Sequence, residues 1–107
     1  MQTPGRPDEP QPRPALVVSA DVRNALRDHL IVVPIFSSGR PGPTRVALPA
    51  GAGGLDHEGT LFCDEVTTLH RRFMGGRPLG PPVSGPVLKA VVAGVRRALG
   101  DVVPEPE

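Results

Sequence analysis

The stretch LIVVPIF, residues 30–36, is the strongest strand signal in this chain of 107 residues. A short, continuous apolar run of this kind is typical of a buried strand. Its internal proline, Pro34, has no N–H to donate to a neighbouring strand. We therefore expect the strand to be an edge at Pro34 or to carry a bulge there.

Further apolar runs on both sides of this stretch predict a fold built mainly from strands. The predicted strands cover residues 14–19, 45–48 and 59–69. The last of them is expected to break near Asp64 and Glu65. Residues 20–28 are expected to form a polar connection or one short helical turn, with Ala25 and Leu26 facing inward. The segment SSGRPGPT, residues 37–44, is a loop by composition.

A single amphipathic helix is predicted near the C-terminus. Ser84 is a good N-cap residue, and Pro86 is tolerated in the first turn. Apolar residues then follow at helical spacing, namely Leu88, Val91, Val92, Val95 and Leu99. Gly100 is a natural stop for the helix. Short strands followed by one helix predict a small α+β fold, mainly β, in which the helix lies on a barrel or sheet.

The composition limits the classes of function. The length suits one small domain. The net charge of +1 gives no evidence for a polyanionic partner, although local basic patches could still bind one. Aromatic residues make up 3% of the chain, which argues against recognition of nucleic acid by base stacking. Cys63 is the single cysteine, so it can form neither an intramolecular disulfide nor a zinc site alone. No apolar run reaches about 18 residues and no signal peptide is evident, so a cytoplasmic protein without a membrane span is expected.

The order of several short motifs resembles the MazF/PemK (Kid) toxin family of type II toxin–antitoxin systems. These motifs are RPALVVS, VVPIFSS, LFCDEVTTL and a helix that ends in ALG. Members of the family show Arg-Pro before a strand, a later strand end of the type Val-Pro-apolar-Thr-Ser, and an acidic residue after a cysteine. The resemblance covers residues 13–100, which we take as the barrel domain. Residues 1–12 are expected to be a disordered tail, and residues 101–107 a flexible one.

The resemblance implies a fold, an activity and partners. The fold would be an SH3-like barrel with a C-terminal helix, shared with the CcdB gyrase poisons. The activity would be metal-independent, sequence-specific cleavage of single-stranded RNA such as mRNA, through attack by the 2′-hydroxyl and without a cofactor. The partners would be a cognate antitoxin and a second copy of the chain. Apolar residues of the helix and of residues 30–36 could be covered by that second copy.

Arg13 and Pro14 match the Arg-Pro of the family, where the arginine contacts phosphate. A guanidinium offers a planar fork of donors that suits a phosphate and stays charged. Pro14 restricts the backbone before it to an extended conformation, which gives the arginine a defined direction. The alternative is an ordinary solvated charge at the edge of the domain.

Ser37, Ser38 and Asp64 match further site positions of the family. A threonine hydroxyl normally contacts the scissile phosphate, but Phe36 stands at that position, so Ser37 would have to supply the contact. Ser38 follows it as an RNA contact, although both serines also suit a plain turn. Asp64 matches the base of the Kid branch, and the alternative is a solvated aspartate in a strand.

The proton donor of the Kid branch is missing from its expected place. An arginine two residues before the aspartate acts as the acid there, and this chain has Phe62 instead. Four residues could replace it in space: Arg45, His57, His70 and Arg71. The sequence selects none of them. The run HRR, residues 70–72, could also bind the RNA backbone as a cationic patch, or could be a solvated run of charge.

Two features favour a function of another class. Family members begin with a strand of the Arg-Gly-Glu-apolar-Trp type and a loop over the RNA groove. This chain lacks that pattern before Arg13, which predicts an open edge. Either another segment fills that edge, or a partner chain does, or the domain is a reduced version. Phe36 and Phe62 also stand where polar site residues are expected. The alternative is therefore a catalytically reduced protein that binds an antitoxin or acts as a CcdB-like poison of a protein target. A peptide-binding SH3-like module is a weaker alternative, because the chain has no Trp or Tyr.

Overall fold

The computed structural model describes residues 2–3 and 13–104. The tail predictions for residues 4–12 and 105–107 lie outside the described residues. Within the described part, the strands are β1 (Gln2–Thr3), β2 (Arg13–Val17), β3 (His29–Phe36), β4 (Arg45–Leu48), β5 (Gly59–Phe62) and β6 (Thr67–His70). The α-helices are α1 (Asp21–Leu26) and α2 (Gly85–Ala98), and short 3₁₀ turns cover Ala52–Gly54, Cys63–Glu65 and Arg71–Phe73.

Strand β3 is the centre of the antiparallel sheet. It pairs with β2 on one side, and on the other side with β6 over residues 29–32 and with β5 over residues 35–36. Pro34 therefore lies where β3 changes partner, so its missing N–H falls in the gap between two neighbouring strands. On the side of β5 and β6, Pro34 is thus an unpaired position, as the predicted edge requires. On the other side Pro34 pairs with Ala15 of β2, so β3 is not an edge strand there.

The predicted break in residues 59–69 is confirmed. Strand β5 ends at Phe62, and the 3₁₀ turn Cys63–Glu65 separates it from β6. This turn lets one chain segment pair with both ends of β3, so the sheet curls around its own core. The result is the predicted fold class, a mainly antiparallel SH3-like barrel with a C-terminal helix.

The helix α2 covers the core through a close approach to the sheet. Ser84 caps it as predicted, since its hydroxyl accepts a hydrogen bond from the Val87 N–H at 3.3 Å. Val91 is fully buried, and Gly94 is also buried. A Cβ atom on Gly94 would lie 2.8 Å from the Cys63 sulfur, so glycine allows the helix to lie this close. The buried cluster comprises Val33, Ile35, Leu48, Leu61, Cys63 and Val91.

Two predictions of inward-facing residues are wrong. Ala25 is exposed, and Leu26 is 75% exposed, although both were expected to face the core. Polar contacts hold α1 in place instead of apolar packing. The Asn24 side-chain amide donates to the Ser19 carbonyl at 2.9 Å, and the Arg71 guanidinium donates to the Arg27 carbonyl at 2.6 Å. A helix of six residues needs no apolar face when its ends are bound in this way.

The apolar side chains along one face of α2 are more exposed than those of β3. Leu30, Val32, Val33 and Ile35 of β3 are buried within the chain. On α2, by contrast, Leu88 and Val92 remain exposed, and Leu99, directly after the helix, is 79% exposed. A contribution of residues 30–36 to a surface between two copies stays a prediction, and it rests on the half-buried Ile31, Pro34 and Phe36.

The edge of β2 that was expected to be open is partly paired. Gln2 pairs with Pro14, and Thr3 pairs with Arg13, in antiparallel register. At the other end of the domain, the Arg97 guanidinium donates to the carbonyls of Val103 and Pro104, each at 2.8 Å. Among the described residues, no helix is both long and apolar enough to cross a membrane.

Candidate active site

Five side chains form a row across four adjacent strands, and we call it the Arg–Phe row. Its members are Arg13 on β2, Phe36 on β3, Phe62 on β5, Arg45 on β4 and Asp64 in the turn after β5. The row follows the order of the strands in the sheet. Arg13 and Asp64, which are 51 positions apart in sequence, therefore stand at the two ends of one row of contacting side chains.

Each neighbouring pair in the row is in contact. The Arg13 guanidinium carbon lies 5.4 Å from the centre of the Phe36 ring. The centres of the Phe36 and Phe62 rings are 4.5 Å apart, and the ring planes are inclined by 54°. The Arg45 guanidinium carbon lies 3.9 Å from the centre of the Phe62 ring. Cations over aromatic faces are attracted by the negative face of the ring without losing their charge.

The register of the strands produces these contacts. Arg45 is the direct cross-strand partner of Phe62. Continuing the β2–β3 register by two residues brings Arg13 opposite Phe36. Side chains opposite each other on antiparallel strands have Cβ atoms about 5 Å apart, within reach of a guanidinium and a ring. The sheet therefore pairs one arginine with each phenylalanine.

Arg45 and Asp64 form the polar end of the row. An Nη atom of Arg45 is 3.7 Å from a carboxylate oxygen of Asp64, and the side chains are 37% and 38% exposed. At this exposure the ion pair contributes little to stability. It does place a carboxylate and a guanidinium side by side at a surface that a ligand can reach. Arg45 is thus the cation, among the four that the sequence left open, that the structure brings to Asp64.

The loop of residues 37–44 folds back over Phe62. Gly39 has a φ of +125°, and a Cβ atom there would lie 2.9 Å from two carbons of the Phe62 ring. The Thr60 hydroxyl donates to the Gly39 carbonyl at 3.3 Å. Ser37 and Ser38 are exposed directly after Phe36. The two serines therefore stand beside the ring that Arg13 covers.

His70 and Arg71 lie at the opposite end of the sheet from the Arg–Phe row. His70 pairs with His29, which is seven residues along β3 from Phe36, or about 23 Å at the rise of a strand. The Nδ1 atom of His70 accepts a hydrogen bond from the Arg72 N–H at 3.1 Å. Arg71 donates to the carbonyls of Asn24 and Arg27, where it fastens α1. A role for His70 and Arg71 in RNA binding stays a prediction, and they are not brought to Arg13, Ser37 and Asp64.

Phe36 and Phe62 belong to the candidate site by their contacts, and the sequence did not identify them as such. In the sequence both are departures from the family pattern, and the low aromatic content argues against stacking. The chain has only three phenylalanines, and two of them touch each other at the centre of the row. The available signal was their placement, because each stands where the resemblance expects a polar site residue.

Cys63 lies between Phe62 and Asp64 in sequence but points into the core. It is fully buried, and burial raises the pKa of its thiol, as does the nearby charge of Asp64. The backbone N–H of Cys63 and the Arg97 charge act in the opposite direction. A buried thiol that holds its proton is a packing residue and not a nucleophile. In residues 13–104, no group of three or more His, Cys, Asp or Glu side chains could hold a metal ion.

Known structures with a similar fold cover most of the chain. An endoribonuclease in complex with its cognate antitoxin from Mycobacterial species is 24% identical, with 98% of this chain and 92% of that chain covered and a TM-score of 0.76. A second endoribonuclease from Mycobacterial species is 26% identical, with 87% and 85% covered and a TM-score of 0.74. A chain of the MazE–MazF complex from Deinococcus radiodurans is 25% identical, with 94% and 92% covered and a TM-score of 0.76.

The comparison of sequences gives the family. No curated protein sequence matches the chain at a significant level. A profile of the PemK-like, MazF-like toxins of type II toxin–antitoxin systems matches residues 1–101, almost the whole chain. This match confirms the resemblance that the ordered motifs around Arg13, Phe36 and Asp64 predicted. The chain belongs to the PemK-like, MazF-like family of toxins of type II toxin–antitoxin systems.

Proposed function

We propose that this protein is an endoribonuclease toxin that cleaves single-stranded RNA through attack by the 2′-hydroxyl. The observation that carries the proposal is the placement of Arg13, Arg45 and Asp64 along one row of contacting side chains, the Arg–Phe row. One carboxylate with two guanidiniums supplies a base and two partners for negative charge. The endoribonucleases of similar fold from Mycobacterial species support the same reaction class.

The proposed reaction assigns one role to each group. Asp64 takes the proton of the 2′-hydroxyl, and the 2′-oxygen then forms a bond to phosphorus. Arg13 and Ser37 donate hydrogen bonds to the phosphate oxygens, which gain negative charge in the transition state. Arg45 donates a hydrogen bond to the leaving 5′-oxygen and stabilises its developing charge, and this oxygen takes a proton from solvent water as the P–O5′ bond breaks. The products are a 2′,3′-cyclic phosphate and a 5′-hydroxyl, and no step requires a metal ion.

The proposal also explains how the chain manages without an arginine at position 62. Arg45 reaches Asp64 from the neighbouring strand, and the Phe62 ring lies beneath its guanidinium. The cation therefore comes from the cross-strand partner of the expected position. A guanidinium remains charged at every pH of interest, so Arg45 stays a donor throughout.

The test is cleavage of a long unstructured RNA in excess EDTA, with analysis of the product ends. The parent protein should give discrete cuts that end in a 2′,3′-cyclic phosphate. Arg13→Ala and Asp64→Asn should each lower the cleavage rate by about 10²-fold or more. A single 2′-deoxy substitution at the cut site should abolish cleavage there.

Arg77→Ala serves as a control of matched charge. Arg77 is exposed in the segment between the Arg71–Phe73 turn and α2, and it is not a member of the Arg–Phe row. This variant should cleave RNA at the parental rate. Cuts that persist in Asp64→Asn, or that survive the 2′-deoxy substitution, would contradict the proposed reaction.

We further propose that a cognate antitoxin and a second copy of the chain are its partners. The structure of similar fold that contains a cognate antitoxin supports the first partner. The exposed Leu88 and Val92 on α2, with Leu99 directly after it, support the second, because a face of this kind is stabilised when a partner covers it. Light scattering should give the mass of a dimer for the parent and that of a monomer for Val92→Glu. A parent that is monomeric at micromolar concentration would contradict the dimer.

A second candidate is a toxin-like binding protein without catalytic activity. The observation that favours it is the pair of phenylalanines at positions 36 and 62, where polar groups are expected for catalysis. This candidate would be supported over the enzyme if the parent protein binds the antitoxin but cleaves none of the RNA sequences tested.

A further inference from the structure

We propose that Phe36 is a stacking platform for a nucleobase next to the scissile phosphate, whereas Phe62 positions Arg45. This inference rests on the proposed function and adds a base-binding subsite to it. The ligand is one unpaired base of the RNA, held by its flat face. Stacking of this kind tolerates any base, since every base has a π-face.

The two rings of the pair differ in how closely they are covered. Arg45 lies 3.9 Å from the centre of the Phe62 ring, close to van der Waals contact, and Gly39 packs against the carbons of the same ring. Arg13 lies 5.4 Å from the centre of the Phe36 ring, which is longer than a close stack requires. Both residues are half-buried, but Arg45 and Gly39 cover the Phe62 ring closely, so Phe36 is the more loosely covered ring and the one that we assign to a flat ligand.

Phe36 also lies between the two groups proposed to bind phosphate. Arg13 is its cross-strand neighbour, and Ser37 is the next residue along the chain. Ile35 is buried in the core, whereas the half-buried Phe36 lies next to exposed Ser37. A nucleotide whose phosphate contacts Arg13 and Ser37 thus has its base within reach of this ring. Arg13 would exchange its contact with the ring for one with the phosphate.

Phe62 has a different task because Arg45 and Gly39 already cover it. Its ring supports the Arg45 guanidinium beside Asp64, at 3.7 Å from the carboxylate. Phe62 is thus a positioning residue that acts through Arg45. Removal of its aromatic character should lower the rate of cleavage without changing the binding of a base.

A double-mutant cycle between protein and RNA separates the two roles. The RNA is a short oligonucleotide that contains the cut site, made resistant to cleavage by one 2′-deoxy substitution. Abasic versions remove one base at a time on each side of the scissile phosphate. Their dissociation constants are measured for the parent, Phe36→Leu and Phe62→Leu. Leucine fills much of the same volume but has no π-face.

The expected result is that the effect on binding of removing a base depends on Phe36 and not on Phe62. For the parent, loss of one particular base should weaken binding about 10-fold or more. Phe36→Leu should bind the intact RNA about as weakly as the parent binds the abasic RNA. For this variant, removal of the same base should not raise the dissociation constant further. For Phe62→Leu, the base should keep its full effect on binding, while the cleavage rate of normal RNA falls. Phe62→Tyr, which retains an aromatic face under Arg45, should restore that rate.

The substitution F36W gives a second measurement that does not depend on leucine being tolerated. The chain contains no tryptophan, so this variant has a single indole at the subsite. Its fluorescence should be quenched by the intact oligonucleotide and much less by the abasic one. Equal quenching by both, or an equal loss of affinity for both in Phe36→Leu, would overturn the base-stacking role. Failure of the parent to cleave RNA would instead overturn the proposed function, so the two failures are distinguishable.

Discussion

The guanidinium of Arg45 lies 3.9 Å above the ring of Phe62, its direct partner on the neighbouring strand. This contact holds the arginine in place without neutralising it, because the ring carries no net charge. The same guanidinium is 3.7 Å from Asp64. The site therefore holds the Arg45 guanidinium in place as a cation for a ligand. The Asp64 carboxylate approaches one Nη atom, so the guanidinium has further N–H groups with which to bind a ligand.

Arg45 should matter for cleavage and hardly at all for stability. Arg45→Ala should reduce the rate of RNA cleavage about 10²-fold, the usual loss when a donor to a developing charge is removed. The free energy of unfolding should change by less than about 1 kcal/mol, because the ion pair is one-third exposed. Cleavage assays and urea denaturation measure the two effects.

Arg45→Lys tests whether a positive charge at position 45 is sufficient without the planar guanidinium. Lysine keeps the charge but has a compact ammonium group that cannot lie flat on a ring and donate as a fork at once. We expect a rate between those of Arg45→Ala and the parent. Parental rates for both variants would exclude Arg45 from the reaction.

Gly39→Ala should disturb the site by strain and by collision. Gly39 has a φ of +125°, and a Cβ atom there would lie 2.9 Å from the Phe62 ring. Positive φ alone costs about 1–2 kcal/mol for a residue with a Cβ. We therefore expect a loss of stability of about 2 kcal/mol by urea denaturation, together with slower cleavage. Gly42→Ala in the same loop is the matched control, since no atom lies within 4 Å of its added Cβ.

Gly94→Ala should destabilise the protein although alanine is the better helix former. The added methyl group would lie 2.8 Å from the Cys63 sulfur, in a tightly packed contact between α2 and the sheet. Overpacking of this kind typically costs about 1–3 kcal/mol. Gly85→Ala at the start of α2 meets nothing within 4 Å and should be neutral or stabilising. Equal stability of the two variants would show that α2 can move away from the sheet at little cost.

Stability should fall as the pH rises above about 9. Burial raises the pKa of the Cys63 thiol from its ordinary value of 9.0. In the unfolded chain the thiol loses its proton first, so between 9.0 and the higher folded pKa the unfolded state binds fewer protons. The stabilisation is complete below 9.0 and is lost as the pH rises through the folded pKa.

The chain is well suited to this measurement. It has no tyrosine and a single lysine, so few other side chains titrate in the same range. Urea denaturation between pH 7 and 10.5 should show the decline for the parent, and a much shallower one for Cys63→Ala. Identical slopes for the two proteins would mean that the thiol has the same pKa in both states.

The elements of the fold were predictable because their signals are local. The run at 30–36 is apolar enough to form a strand in any packed context. The helix carries its own start at Ser84 and its own stop at Gly100, where φ is +92°. Where prediction failed, at Ala25 and Leu26, short-range apolarity was overruled by long-range hydrogen bonds from Arg71, 44 residues away from Arg27.

The candidate site could be predicted only at positions where the residue type within its motif already indicates a chemical role. The sequence by itself determined the family, the strands and helix, and the positions of Arg13, Ser37 and Asp64, because the ordered motifs and the apolar runs can be read along the chain. Only the tertiary structure decided that Arg45 meets Asp64, that Phe36 and Phe62 join the two arginines, and that His70 and Arg71 lie at the far end of the sheet. Those outcomes depend on which residues face each other across strands, and strand register is set by the packing of the whole core.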